Sequence, residues 1–302
     1  MAKLIQWFPG HMKKAMRDME EKRALCDGVI CVLDSRAPIA TYNPKLPEIF
    51  AGKPVLYVLN KSDLSDGKSE KFAAMIEAQG KPCVAISAVN GASRRVLEKR
   101  LQILTKEKRE RAESKGVTRR FRYTVVGIPN TGKSTVVNLL GGAKRAKTGD
   151  IAGVTRDVRW IKCADFDLLD TPGTMPPSCK TQYLARHLAY IGSLNDDILD
   201  IADVALELLK ELKANYPAAL QERYGIDCGG NNAETDKTAD EEERTREAVE
   251  MLETACRRRG FILRGGEFDY ERGARAVIDD FRKGRLGKIC LENPSDFADV
   301  KF

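Results

Sequence analysis

The sequence predicts an α/β protein: a doubly wound, mostly parallel sheet organised around a phosphate-binding loop, followed by an all-helical C-terminal region. Three observations carry this. Gly127-Ile128-Pro129-Asn130-Thr131-Gly132-Lys133-Ser134, with Thr135 behind it, fits the spacing Gly, four residues, Gly-Lys-Ser/Thr. Gly28–Asp34 and Pro54–Leu59 are continuous apolar runs that end in polar residues, as strands covered on both faces do. From about residue 180 the apolar period becomes helical, with Tyr183, Leu184, Leu188 and Ile191 on one face and Ile198, Ile201, Leu209 and Leu212 on another. The expected division is residues 1–178 for the α/β domain and 179–302 for the helical one.

Composition narrows the class. Of 302 residues 42% are hydrophobic, and the net charge of +7 leans towards a polyanionic partner. No apolar run approaches the roughly 20 residues that span a bilayer. The opening stretch has no long apolar core or cleavage site, so a cytoplasmic protein without membrane attachment is expected. Eight cysteines include no Cys-x-x-Cys pair, which favours buried, reduced thiols over a zinc site or a disulfide framework.

In chain order, residues 9–26 read as a helix, with Met12, Met16 and Met19 at helical spacing. Strands follow at 28–34 and 54–59, then a helix at about 67–79 and a strand at 82–86. The run 91–120 is a helix and linker rich in Lys and Arg, for which a solvated face is the main explanation. The strand Tyr123–Val126 leads into the phosphate loop, and Val136, Val137, Leu139 and Leu140 give the next helix its apolar face. Strands are expected again at 158–163 and 165–169.

Three groups of residues suggest chemistry. In the strand–loop–helix, successive N–H groups and a helix N-terminus face phosphates; Lys133 would lie against the β- and γ-phosphates and Ser134 would ligate Mg²⁺. Asn60-Lys61-Ser62-Asp63 stands at a strand end, and Ser87-Ala88 follows one βα unit later. The Asp63 carboxylate can accept both N1–H and the 2-amino group of guanine, which adenine cannot supply, so the wrong base leaves it unpaired. Asn60 and the Lys61 stem would hold the loop and the base face, and the Ala88 N–H would reach the guanine O6. Finally, Thr155 and Asp170-Thr171-Pro172-Gly173 are placed as switches. Thr155 would close over the γ-phosphate and ligate Mg²⁺, Asp170 would hold the metal through a water, and the Gly173 N–H would sense the γ-phosphate.

In an ordinary small GTPase the phosphate loop precedes the base-reading motif; here Asn60–Asp63 and Ser87-Ala88 come first. With Gln6-Trp7-Phe8-Pro9-Gly10-His11-Met12 at the start and Asp279–Lys288 near the end, the chain resembles the circularly permuted GTPases of the ribosome-assembly group. The resemblance implies a circularly permuted phosphate-loop GTPase that binds GTP and GDP with Mg²⁺. It implies action in late assembly of the large (50S) ribosomal subunit, with the subunit and its rRNA as partners; a monomer is expected. Members of the group lack the catalytic Gln that would stand at Thr174, so His11, near the start of a helix filling the vacated switch position, is the candidate to orient water. In related GTPases an Asn placed like Asn130 helps hold K⁺.

Near the C-terminus Arg257, Arg258, Arg259, Arg264, Arg272, Arg275, Arg282, Lys283, Arg285 and Lys288 interleave with Phe261, Phe268, Tyr270 and Phe281. An amphipathic helix pair accounts for the aromatics, and the resemblance implies rRNA contact for the cations. His187, on an apolar helical face, reads as a packed core residue. The rivals are a small-subunit or tRNA-directed GTPase and a metabolic phosphate-loop kinase, the last disfavoured by Asn60–Asp63.

Overall fold

The computed structural model describes residues 10–142, 159–176, 179, 181–228 and 240–302, with side chains from Lys14 in the first segment and from Trp160 in the second. β1 (Gly28–Asp34) is buried along its whole length, with Val29, Cys31 and Leu33 in one apolar cluster and Ile30 and Val32 in another. This is the two-residue alternation of a strand covered on both sides. β2 (Val55–Asn60) pairs parallel to it, from Val29 opposite Val55 to Asp34 opposite Asn60. β3 (Cys83–Ala85) extends the sheet beyond β2, and β4 (Phe121–Val126) lies on the other flank of β1. β5 (Arg159–Lys162) runs antiparallel to β6 (Phe166–Asp170), which is parallel to β4. The spatial order is β3-β2-β1-β4-β6-β5, so the fourth strand of the chain, which carries the phosphate loop, is central. Parallel pairing brings the C-terminal ends of β1, β2, β3, β4 and β6 to one edge, where open α/β sheets bind ligands.

Helices cover both faces. α1 (Gly10–Lys22) buries Ala15 and Met19, one turn apart, and ends in a 3₁₀ turn at Arg23–Leu25. α2 (Lys45–Ile49), which the sequence reading did not anticipate, and α3 (Lys68–Ala78) bury Leu46, Phe72 and Ile76 on the same side. α4 (Ser93–Leu104) and α6 (Lys133–Gly141) cover the opposite face with Leu97, Leu101, Val136, Val137 and Leu140. Between them α5 (Lys106–Glu113) buries nothing. It is the solvated, charged segment expected of 91–120, broken from α4 at Thr105, whose hydroxyl turns back to the Leu101 carbonyl.

The C-terminal half is helical: α7 (Gln182–Tyr190), α8 (Ile201–Asn215), α9 (Pro217–Tyr224), α10 (Glu241–Arg259) and α11 (Tyr270–Arg282). Thr181, Asp200, Asp240 and Asp269 each accept a backbone N–H at the start of a helix, which explains where α7, α8, α10 and α11 begin. One apolar cluster runs without a break from Val29, Cys31 and Leu33 through Leu188, Leu208, Leu252 and Val277 to Phe302. A strap, residues 284–292, then returns along the ligand-binding edge of the sheet. Its Ile289 N–H donates to the Leu64 carbonyl (2.9 Å) and its Leu291 N–H to the Arg36 carbonyl (2.8 Å).

Candidate functional site

The phosphate loop leaves β4 through Gly127, at φ 150°, where a Cβ would lie 2.5 Å from the Val32 carbonyl oxygen. Asn130 is left-handed (φ 61°), as is Gly132 (φ 88°), where a Cβ would collide with the Asn60 amide. These turns shape the loop ahead of α6, and such a loop with a helix N-terminus behind it suits an anion. Lys133 is 7% exposed, and its Nζ donates to the Ile128 carbonyl at 2.6 Å. Burial pushes its pKa down to about 8, against the opposing pull of the Asp170 carboxylate. Asp170 is fully buried at the end of β6. Beyond it the Thr171 hydroxyl donates to the Val125 carbonyl (2.6 Å) and the Thr174 N–H to the Gly127 carbonyl (3.2 Å). Gly173 is held against the loop so closely that a Cβ would lie 2.7 Å from the Pro129 nitrogen.

Asn60 joins the residues expected to read the base to this loop. It is 2% exposed; its Nδ2 donates to the Thr131 carbonyl and its Oδ1 accepts from the Ala88 N–H, both at 3.0 Å. The Ala88 N–H, expected to face a purine O6, therefore serves here to fix Asn60. Lys61 is left-handed (φ 62°) and reaches the Asn130 carbonyl at 2.6 Å and Asp34 at 2.8 Å. Asp63 stands exposed on the 3₁₀ turn Ser62–Leu64, whose first N–H is bonded to the Ile86 carbonyl at 3.0 Å. The Ser87 carbonyl accepts the Ser93 hydroxyl at 2.8 Å. Residues of three motifs, 28 to 71 positions apart in the chain, thus meet through Asn60 and Lys61.

A surrounding shell escaped the sequence reading. Burial works against an ionised Asp34, but Arg36 at 2.8 Å and Lys61 hold its carboxyl well below the usual carboxylate range. Arg36, itself buried, also donates to the Arg282 carbonyl at 3.0 Å. From the end of α7, the Gly192 carbonyl receives the Asn130 side-chain amide (2.5 Å), and the Ser193 hydroxyl donates to the Pro129 carbonyl (2.7 Å). Arg282 locks that corner by donating to the Ala189 and Tyr190 carbonyls while pairing with Asp196. Nothing in local sequence marks Gly192 or Ser193, and Arg282, expected among the cations that meet rRNA, is instead engaged within the protein. The polar end of the apolar run Gly28–Asp34 was the one signal available.

The remaining expectations divide. The side chain of His11, in the first turn of α1, and the whole of Thr155 lie outside the described residues. Ser134 and Thr135 stand half-buried in the first turn of α6. The Ser134 hydroxyl and Asp170 carboxylate are hard oxygen donors suited to Mg²⁺. Among the described residues no group of three or more His, Cys, Asp or Glu side chains is gathered for a metal. A nucleotide-bound Mg²⁺ needs none, since it keeps waters and takes phosphate oxygens. In the C-terminal half Phe281 is buried, and Arg272 and Arg257 lie over the rings of Phe261 and Phe268. Phe261, Phe268 and Phe281 serve packing, as an amphipathic pair would, whereas Tyr270 is exposed. Arg258, Arg264 and Lys288 are exposed.

A family model described as 50S ribosome-binding GTPase matches residues 122–226. Ribosome biogenesis GTPase A of Bacillus cereus is 37% identical over 299 residues, 98% of this chain and 96% of that one. The protein of the same name from Thermotoga maritima is 28% identical, over 98% of this chain and 97% of its own. Among solved structures, GNP-bound YlqF from T. maritima superposes with a TM-score of 0.63 at 25% identity, over 93% of this chain and 98% of that one. A GDP-bound YlqF gives 0.62 at 26% identity, over 93% of this chain and all of that one.

Proposed function

The chain belongs to the family of ribosome biogenesis GTPase A and is a circularly permuted GTPase, and on that premise we propose that it binds the large (50S) ribosomal subunit and its rRNA in the GTP form, late in assembly, and leaves after hydrolysis. Residues 1–178 would form the hydrolytic domain, and 179–302 the helical one that contacts rRNA. It would act as a cytoplasmic monomer.

The observation that carries the reading is the meeting of Asn60, Ala88 and Thr131 in one hydrogen-bonded junction. It sets the base turn and the phosphate loop at a fixed separation, as a single nucleotide bridging both requires. Asp63 accepts from N1–H and the 2-amino group of guanine. Lys133 exchanges the Ile128 carbonyl for β- and γ-phosphate oxygens, and the loop N–H groups hold the rest of the chain of phosphates. Ser134, Thr155 and Asp170 would hold a Mg²⁺, which would supply charge neutralisation at the phosphates. The Gly173 N–H binds the γ-phosphate, so its position against Pro129 reports whether that phosphate is present.

Water attacks the γ-phosphorus in line with the leaving oxygen. Thr174 takes no part in orienting that water: it is fully buried, its N–H is bonded to Gly127 and its carbonyl accepts from the Asn43 amide at 2.9 Å. His11 is the residue proposed to orient it. Asn130, whose amide nitrogen is held by Gly192, is proposed to offer its oxygen to a K⁺ beside the phosphates.

Co-sedimentation with isolated large and small subunits tests the partner. Retention on the large subunit with a non-hydrolysable GTP analogue and loss with GDP are expected, weakening steeply with salt as phosphate contacts do. Retention on small subunits alone would overturn the assignment.

A further inference from the structure

The turn that carries Asp63 is pinned on one side by the sheet and on the other by the helical region. On the sheet side the Ser62 N–H is bonded to the Ile86 carbonyl. On the helical side the Leu64 carbonyl accepts the Ile289 N–H, and Gly284 lies so near Leu64 that a Cβ would be 2.6 Å from its Cδ2. Tyr216, between α8 and α9, reaches the same turn. Its hydroxyl lies 2.7 Å from the Asp66 carboxylate and 2.6 Å from the Cys290 carbonyl, and it accepts from Lys68 Nζ (2.9 Å) and the Cys290 N–H (3.1 Å). One hydroxyl therefore ties the segment after Asp63 to the strap and to the α8–α9 corner. The hydrolytic mechanism makes no use of it.

We infer that Tyr216 is a positioning residue for guanine recognition: through Asp66 and Cys290 it fixes the turn on which Asp63 stands, and it makes affinity for the base depend on the helical region. The inference rests on the assignment of Asp63 as the base-reading carboxylate. The two hydrogen bonds to a guanine edge are directional, so a turn free to shift holds the base less well. The base is common to GDP and GTP, so loosening it weakens both alike, whereas a fault at the phosphate loop would distinguish them.

The test uses the full chain with Tyr216→Phe, which removes only the hydroxyl. Dissociation of GDP and of a non-hydrolysable GTP analogue should each quicken roughly three- to tenfold, the range for one lost hydrogen bond. KM should rise by a like factor, with kcat changed less than about twofold. Asp66→Ala, at an exposed position, breaks the same bond from the other side and keeps the test open should Tyr216→Phe fold poorly. The double variant should fall short of the sum of the two single effects, because the residues share one bond while Tyr216 also holds the Cys290 backbone and Asp66 also pairs with Lys68. Unchanged dissociation in both variants, additive effects, or a kcat that falls in step with the rise in KM would overturn the inference. Asp63→Asn is the control. If it moves preference to xanthosine nucleotides while Tyr216→Phe changes nothing, the inference falls and the base assignment stands; if it moves no preference, both fall.

Discussion

At the phosphate end of the site the charges are buried, with Lys133 at 7% and Asp170 at 0% exposure, whereas at the base end Asp63 stands exposed on a three-residue turn. The phosphate end is assembled from central strands: β4 supplies the loop, β6 supplies Asp170, and α6 begins where the loop closes. The helical half braces both ends, the phosphate loop through Gly192 and Ser193 and the exposed base turn through the strap at Leu64 and Tyr216 at Asp66. The contrast separates two tasks. Hydrolysis needs charges held rigidly in a site of low dielectric, where they act most strongly on the reacting phosphate. Base choice needs only one well-placed carboxylate, and its placement can be lent to another part of the molecule.

The largest expected effect breaks the phosphate end alone. Lys133→Ala removes the buried cation proposed to meet the β- and γ-phosphates, and phosphate release should fall by about 10²–10³, the cost of one preorganised charge-stabilising donor. Gly173→Ala comes next. Its new Cβ would stand 2.7–2.9 Å from Pro129, so the turn must move off the loop. Turnover should drop by about tenfold or more, as small misplacements of reacting groups do, with GDP affinity nearly unchanged in an equilibrium titration. A matching loss of GDP affinity would show that the turn supports the whole loop.

An effect on stability, with turnover at neutral pH left nearly unchanged, concerns the helical region that braces both ends. His187 is buried between Glu292 Oε1 at 3.1 Å and Glu211 Oε1 at 3.0 Å, and Glu292 also accepts from the Ile39 and Ala40 N–H groups. Burial alone would lower the imidazole pKa, but the two carboxylates outweigh it and raise it to about 9. A pKa raised on folding stabilises the charged form, so the contribution is fully present below pH 6.5 and is lost as pH rises through about 9. Denaturant midpoints should fall across that window by the equivalent of about 3 kcal/mol, and His187→Gln should flatten the decline. An equally steep decline in the variant would assign it to other groups.

Much of the sheet could be read in advance because burial on both faces writes itself as unbroken apolar runs; β1 spans Gly28–Asp34 as expected from its run. Strand ends elsewhere differ from expectation by one or two residues, where a polar residue such as Asn60 or Asp170 still pairs in the ladder. The phosphate loop and Asn60–Asp63 were legible because their chemistry fixes residue types at short spacing. The bracing was not. Arg36 and Arg282 meet across 246 positions, and Asn130 meets Gly192 across 62. Side chains of this kind read as solvated charge until the fold brings a buried carbonyl or carboxylate to them. His187 was expected to pack in the core and does, but its two carboxylates come from α8 and the strap, and no local pattern announces them.

The central claim is that the Asn60–Asp63 turn and the Gly127–Ser134 loop form one guanine-nucleotide site with separable ends. Asp63→Asn tests it most directly, by steady-state turnover of GTP and of XTP on the full chain. KM for GTP should rise at least about tenfold and XTP should become the better substrate, with kcat on XTP close to that of the unaltered protein on GTP, because an amide at 63 complements the xanthine edge and leaves the phosphate end untouched. An unchanged preference for GTP, or loss of turnover with both nucleotides, would contradict it.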